Sequence, residues 1–422
     1  MKDLIERDAR HLWHPYTQHG AEPSPFAVTH AEGAVLTLAD GRELIDGISS
    51  WWATLHGHGH PALVEAMAEQ ARTLDHVLFA GTTHEPAVAL SEELLAVSSP
   101  GLSRVFFSDN GSTAVEVALK MAYQRWVHRG EPQRTVFIAL EGAYHGDTFG
   151  AMAIGDPDPF FTTFAPLLFE VRHVKPSEDS LRAALEELGE RAAGFILEPL
   201  VQGAAGMCMH PPAFVAAARS ACDDAGIPLI ADEVMTGFGR TGSLFAHQQA
   251  GITPDYVCLA KGLTGGMMPL SATLTTEEVF EAFHSTDRSR AFFHGHTFTA
   301  HPIGCAVARA SLRVTLGEDV PGKLDGIGAR IEEGVAVLRD DPRVSELRRT
   351  GGIVALELRP PEDDAGGYLA ALGPKLRRAA IEEGVLLRPL GNVLYALPPA
   401  CTTEAQADAI AAAMRSLVER VC

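Results

Sequence analysis

Two short apolar runs each end on a residue that can do chemistry. Ile227-Pro228-Leu229-Ile230-Ala231 leads into Asp232-Glu233, and Tyr256-Val257-Cys258-Leu259-Ala260 leads into Lys261. Runs this short, bounded by Gly, Pro or Asp, predict buried strands of a parallel sheet. Reactive groups in such sheets collect in the crevice beyond the carboxyl ends of the strands, so Asp232 and Lys261 are expected to share one pocket. An acid and a lysine placed that way suit pyridoxal 5′-phosphate: the amine bonds to the cofactor aldehyde, and the carboxylate keeps the pyridine nitrogen protonated so that the ring accepts electrons. Met alone, such a pair reads more simply as a loop cap and a surface charge. The glycine-rich stretches after each, Thr236–Gly242 and Gly262–Gly266, weigh against that reading.

Upstream, Arg104-Val105-Phe106-Phe107 predicts another strand, followed by Ser108-Asp109-Asn110-Gly111-Ser112-Thr113 and a run of helix formers from Ala114 to Met121. Strand, polar loop and helix start form an anion site, because free N–H groups and the positive end of the helix dipole face the loop. Gly111 and Ser112 are therefore candidates for the cofactor phosphate. Ser, Asn and Thr also start ordinary helices as caps, so it is the position upstream of the Asp232–Lys261 pair that favours the anion site.

Ala231-Asp232-Glu233-Val234, Gly237-Phe238-Gly239-Arg240-Thr241-Gly242 and Lys261-Gly262-Leu263-Thr264-Gly265-Gly266 resemble the class III (omega-type) aminotransferases of the fold-type I pyridoxal-phosphate enzymes. The resemblance extends from His14-Pro15-Tyr16 to Leu397-Pro398-Pro399. It implies an α/β fold, with a large domain built on a mostly parallel central sheet flanked by helices and a smaller α+β domain. It implies pyridoxal 5′-phosphate as cofactor, with Lys261, Asp232 and Tyr144 at the reaction centre and small molecules, an amine donor and a keto acid, as substrates.

Further residues take roles by the same implication. Tyr144, in Glu141-Gly142-Ala143-Tyr144-His145-Gly146-Asp147, would lie over the pyridine ring, with Asp147 near the substrate amino group. Tyr16, Trp51, Trp52 and Arg388 would line the substrate slot. Two adjacent indoles in a predicted loop favour a binding surface on their own account, and a planar guanidinium suits a carboxylate. Glu198, at the end of Gly194-Phe195-Ile196-Leu197, is expected to support the pocket without reacting, and Arg240 to lie close by. Gly295, His296 and Thr297 would come from a neighbouring subunit, with the threonine on the cofactor phosphate, which implies a homodimer with shared sites. Gly-His-Thr occurs in several branches of the family, so the amine donor stays open at this point.

His56, His58 and His60 alternate within His56-Gly57-His58-Gly59-His60, with no acid or cysteine adjacent in sequence. They read as a structural turn into a helix, and no metal site is expected.

The elements that must hold these residues follow from pattern. Residues 26–48 read as a small β-meander, Pro61–Leu74 and Ala87–Val97 as helices, and Val136–Leu140 as a strand. From about Cys305 a long helix leads to strand Gly352–Leu358 and to helices Leu372–Glu383 and Thr403–Val421. The expected organisation is an N-terminal arm with a small-domain segment (residues 1–58), a large cofactor-binding domain (59–304) and a C-terminal small domain (305–422).

Composition limits the rest. A net charge of −20 argues against nucleic acid as partner. The 6 cysteines are scattered without a Cys-x-x-Cys pair and fit reduced thiols. The charged start, Met1-Lys2-Asp3-Leu4-Ile5-Glu6-Arg7-Asp8, and the lack of a membrane-length apolar run favour a cytoplasmic protein away from the membrane.

Overall fold

Seven strands form the sheet that carries the site: β1 (Leu102–Ser108), β2 (Val136–Leu140), β3 (Val171–Val174), β4 (Ala192–Leu197), β5 (Leu229–Asp232), β6 (Tyr256–Leu259) and β7 (Ser271–Thr276). The computed structural model describes residues 2–21, 24–360 and 366–421. The spatial order is β1-β7-β6-β5-β4-β2-β3. The pairs from β3 across to β6 are parallel, whereas β7 runs antiparallel to both β6 and β1. Every residue of β2, β4, β5 and β6 is buried. Their largely apolar sequences, without an alternating polar face, are what a parallel sheet covered by helices on both faces requires.

Topology brings the chemistry to one edge. The parallel strands point their carboxyl ends the same way, so Asp232 ends β5 and Ala260-Lys261 follows β6 on the same side as the loops after β2 and β4. The helix Gly111–Arg129 follows β1 and packs against β6 and β7. Asn110 caps it, with its side chain accepting the Thr113 N–H, and it ends at Gly130 in the left-handed conformation that a glycine C-cap tolerates.

A second sheet joins the two ends of the chain. Val28–Glu32, Val35–Leu38 and Glu43–Asp46 form the expected antiparallel meander, and Val385–Leu386 adds a fourth strand parallel to Glu43–Asp46. Val344–Thr350, Ile353–Leu358 and Val393–Ala396 form a third sheet beneath the helix Val320–Val335, which in turn packs against Glu404–Val421. The predicted helices stand within a few residues of their observed ends, at Pro61–Thr73, Glu85–Val97, Pro302–Gly317, Leu372–Glu382 and Glu404–Val421. Among the described residues no helix is long and apolar enough to cross a membrane. Cys222, Cys258 and Cys305 are buried, and five cysteines are unpaired; Cys422 lies outside the described residues.

Candidate active site

Beyond the carboxyl ends of β1, β2, β4, β5 and β6 lies a cavity of about 620 Å³. Its walls include Trp52, Gly111, Ser112, Tyr144, His145, Asp147, Glu198, Asp232 and Lys261. Each of these five strands contributes residues at or beyond its end, and the segment leading into β7 adds Met268, Pro269 and Leu270.

Asp232 is only 4% exposed. Its Oδ1 accepts the Val234 N–H at 3.0 Å, and its Oδ2 accepts from His145 Nδ1 at 2.7 Å. A buried carboxylate needs such partners, since an unpaired charge in this position would be costly. Lys261 reaches the same cavity, with its Nζ 4.9 Å from the centroid of the Trp52 ring. Burial pushes its amine below the ordinary lysine value, against the pull of Asp232 and Glu198, and Arg240 adds to the lowering. A lysine shifted this way becomes neutral, and so nucleophilic and basic, closer to physiological pH.

Glu198 receives the Gly203 N–H at 2.9 Å and the Tyr144 N–H at 3.3 Å. Burial lifts its carboxyl to about 7, moderated by His145 and reinforced by Asp232. It ties together the loops that follow β2 and β4.

The phosphate end has the form of a helix start with spare donors. Asn110 uses the Thr113 N–H, which leaves the Gly111 and Ser112 amides without a backbone acceptor at the cavity wall. A Cβ on Gly111 would stand 2.6 Å from Val234 Cγ1, so only glycine allows this approach. Ser112 Oγ lies 2.7 Å from Thr148 Oγ1, which donates in turn to Glu116 Oε1 at 2.6 Å. Gly146, at φ +122°, passes directly over the Ser112 side chain, where a Cβ would fall 2.4 Å from Oγ.

These features fit pyridoxal 5′-phosphate. Spare amides at a helix start suit the phosphate, a paired carboxylate suits the ring nitrogen, and a lysine of lowered pKa suits the aldehyde. His145 Nε2, buried without a partner among the described residues, adds a polar atom beside this carboxylate.

A second cavity, of about 340 Å³, adjoins the first and includes Tyr16, Phe160, Tyr368 and Arg388. Tyr16 Oη donates to both carboxylate oxygens of Asp147 at 2.7 Å and lies 2.8 Å from Tyr144 Oη, so these three residues link the cavities. Burial raises the pKa of both phenols, which remain protonated donors at neutral pH. Trp51 stands edge-on to Tyr16 at 5.7 Å, and the Arg388 guanidinium lies 4.2 Å above the Trp51 ring. Among the described residues no carboxylate pairs with Arg388.

The indoles sit in a turn of unusual backbone. Ser49, Ser50, Trp51 and Trp52 have φ of +49°, +49°, +95° and +72°. Left-handed conformations cost an L-residue about 1–2 kcal/mol each. Trp52 donates its Nε1–H to Tyr395 Oη at 2.8 Å, and its carbonyl accepts from Arg240 Nη2 at 3.2 Å. Arg240 also donates to Pro398 O at 3.0 Å. Burial pushes it down to about 9, with Asp46 the opposing charge, so it stays cationic at neutral pH.

The three histidines part company in the fold, and His58 does have an acidic partner. Its Nε2 lies 3.0 Å from Asp46 Oδ2, whereas His56 Nε2 lies 2.9 Å from Ser311 Oγ. The two halves of the His58 pair are separated along the chain, so adjacency in sequence did not reveal it.

Gly295, His296 and Thr297 lie on a loop outside the cavity of the single chain. His296 accepts the Phe298 N–H at its Nδ1 and sits 4.0 Å from Asp109 Oδ1, while Thr297 is exposed. His145, which sequence reasoning passed over, lines the cavity and bonds directly to Asp232. Its neighbours Tyr144 and Asp147 were singled out, but its contact with Asp232 spans 87 residues of chain.

The model of the aminotransferase class-III family matches residues 16–418. The chain belongs to the class III aminotransferases. Members of this family depend on pyridoxal phosphate, and PLP is the cofactor of this chain. A curated relative from Synechococcus elongatus, named adenosylmethionine-8-amino-7-oxononanoate aminotransferase, is 50% identical over 97% of this chain and 99% of its own length. One of the same name from Geobacter sulfurreducens is 40% identical over 96% of this chain and 95% of its own. Among solved structures, an adenosylmethionine-8-amino-7-oxononanoate aminotransferase from Methanocaldococcus jannaschii superposes with a TM-score of 0.95, at 33% identity over 100% of both chains. A PLP-bound amine transaminase from an uncultivated Pseudomonas species superposes with a TM-score of 0.91, at 32% identity over 98% of this chain and 99% of that one.

Proposed function

We propose that this aminotransferase moves an amino group from S-adenosylmethionine to the ketone of 8-amino-7-oxononanoate, giving 7,8-diaminononanoate in biotin synthesis in the cytoplasm. The wall joining the two cavities carries this reading. Tyr16 bonds Asp147, Trp51 leans on Tyr16, and Arg388 covers the Trp51 face without a carboxylate partner among the described residues. An aromatic slot that ends at an available guanidinium suits a long acyl chain with a distal carboxylate. Relatives named for that reaction, matched over nearly the full chain, support it.

Pyridoxal phosphate, when bound, supplies the electron sink for the bond broken at the donor α-carbon. Lys261 would hold the aldehyde end, Asp232 the protonated ring nitrogen, Tyr144 one ring face, and Gly111 and Ser112 the phosphate. Lys261 Nζ would take the proton from the donor α-carbon, a role helped by its lowered pKa. Asp147 accepts from the substrate amino group, Trp51 and Trp52 exclude water, and Arg388 holds the distal carboxylate of the acceptor. In a homodimer, Thr297 of the partner subunit, flanked by its Gly295 and His296, would complete the phosphate end of each site.

The test is product formation. Purified enzyme with S-adenosylmethionine and 8-amino-7-oxononanoate should yield 7,8-diaminononanoate by mass spectrometry. Product with lysine in place of S-adenosylmethionine, and none with the latter, overturns the donor; no product with either overturns the acceptor.

A further inference from the structure

The Ser49–Trp52 turn needs something to hold it. Four consecutive L-residues in the left-handed region do not stay there on local preference, and such strain persists only where surrounding contacts over-determine it. Asp46 supplies many of those contacts. Its carboxylate is fully buried. Oδ1 accepts the Ser50 N–H at 2.8 Å and the Ile48 N–H at 3.3 Å. Oδ2 accepts the Ser50 hydroxyl at 2.6 Å and faces His58 Nε2 at 3.0 Å. His58 is itself anchored through its backbone, which exchanges hydrogen bonds with Gly33 at 3.0 and 2.7 Å. The far side of the turn is tied elsewhere, through Ser49 Oγ to Leu397 O at 2.8 Å and through Arg240 to the Trp52 carbonyl.

Both indoles depend on this backbone for their direction. Trp52 faces Lys261 in the first cavity, and Trp51 stands between Tyr16 and Arg388 at the second. A relaxed turn would rotate the two rings together.

We propose that Asp46, braced by His58, is a positioning residue for the substrate: it holds the Ser49–Trp52 turn in its left-handed form and so sets where Trp51 and Trp52 stand in the active site. This rests on the reading of the Trp51–Arg388 wall as the acceptor slot. Neither Asp46 nor His58 lines either cavity, so they act through the turn, and the one other active-site charge that Asp46 opposes is Arg240, which itself holds the Trp52 carbonyl.

The experiment compares Asp46→Ala, Asp46→Ala/Ser50→Gly and His58→Gln with wild type as cofactor-loaded enzymes. Asp46→Ala should keep the visible absorbance of the bound cofactor, raise KM for 8-amino-7-oxononanoate about tenfold or more with a much smaller change in kcat, and alter the tryptophan near-UV circular dichroism. Glycine accepts positive φ at no steric cost, so adding Ser50→Gly should recover about two- to fivefold of that KM. A general loss of stability would not be repaired that way. A folded Asp46→Ala with wild-type KM and near-UV signal overturns the proposal, as does a raised KM that Ser50→Gly leaves untouched. Where Asp46→Ala does not accumulate, His58→Gln decides: a raised KM with an altered near-UV signal supports the clamp, and wild-type values for both overturn it. A wild type that never turns over the acceptor would instead defeat the functional reading, and the near-UV comparison, which needs no substrate, still judges the clamp.

Discussion

His145 meets Asp232 across the cavity floor, Nδ1 to Oδ2 at 2.7 Å, and its other ring nitrogen is buried without a partner among the described residues. The carboxylate accepts, so the ring donates through Nδ1, and Asp232 is held in one orientation from both of its oxygens. Removing the imidazole leaves that buried carboxylate with the Val234 amide alone.

His145→Ala is therefore expected to keep the cofactor but lower kcat about 10- to 100-fold, the worth of one hydrogen bond to a buried charge. Steady-state kinetics together with the pH titration of the cofactor absorbance check this. A wild-type kcat and an unshifted titration would show that Asp232 needs no brace.

Glu198 gives a pH prediction. Its folded pKa, about 7, stands above the ordinary 4.5. The folded protein thus binds this proton more tightly than the unfolded chain. The contribution to stability is complete below the ordinary value and is lost as pH rises through about 7. Glu198→Gln cannot ionise, so its Tm measured against wild type should improve as pH goes from about 5 to about 8. A difference that stays flat across that window contradicts the raised pKa.

Arg388 should matter to the acceptor far more than to folding. Arg388→Met is expected to lower kcat/KM for 8-amino-7-oxononanoate about 100-fold, since two charge-assisted hydrogen bonds are lost at once. Arg388→Lys should restore only part of this, because an ammonium lacks the planar fork. Equal kcat/KM for all three proteins would place the carboxylate elsewhere.

The closeness of Gly111 to Val234 predicts a repairable defect. Gly111→Ala puts a methyl 2.6 Å from Val234 Cγ1 and should push the helix start away from the phosphate. A cost of about 1–3 kcal/mol, typical of overpacking, would appear as weaker cofactor retention on dialysis. Val234→Ala in the same chain should restore retention. If the double variant loses cofactor as readily as Gly111→Ala, crowding is not the cause.

The site was legible where chemistry follows strand ends. Asp232 and Lys261 close two buried apolar runs that pair as parallel neighbours, and Gly111-Ser112 opens a helix after a further strand, which the antiparallel β7 joins to them so that all three ends meet at one cavity. What stayed hidden depends on contacts distant in sequence. His145 finds Asp232 only through the adjacency of the loops after β2 and β5. His58 finds Asp46 only because the chain reverses at the Trp51–Trp52 turn, whose left-handed backbone nothing in Ser-Ser-Trp-Trp announces. In the same way β7 escaped notice. Its Ser-Ala-Thr-Leu-Thr-Thr has neither an apolar run nor clean alternation, yet all but its last residue are buried, with Thr273 bonded to Ala114 O.

The most direct measurement is the donor half-reaction of the cofactor-loaded enzyme. S-adenosylmethionine alone should abolish the visible absorbance of the lysine-bound cofactor, and 8-amino-7-oxononanoate added afterwards should restore it with formation of 7,8-diaminononanoate. Loss of that absorbance with lysine but not with S-adenosylmethionine would contradict the donor, and failure of the ketone to restore it would contradict the account of the acceptor slot.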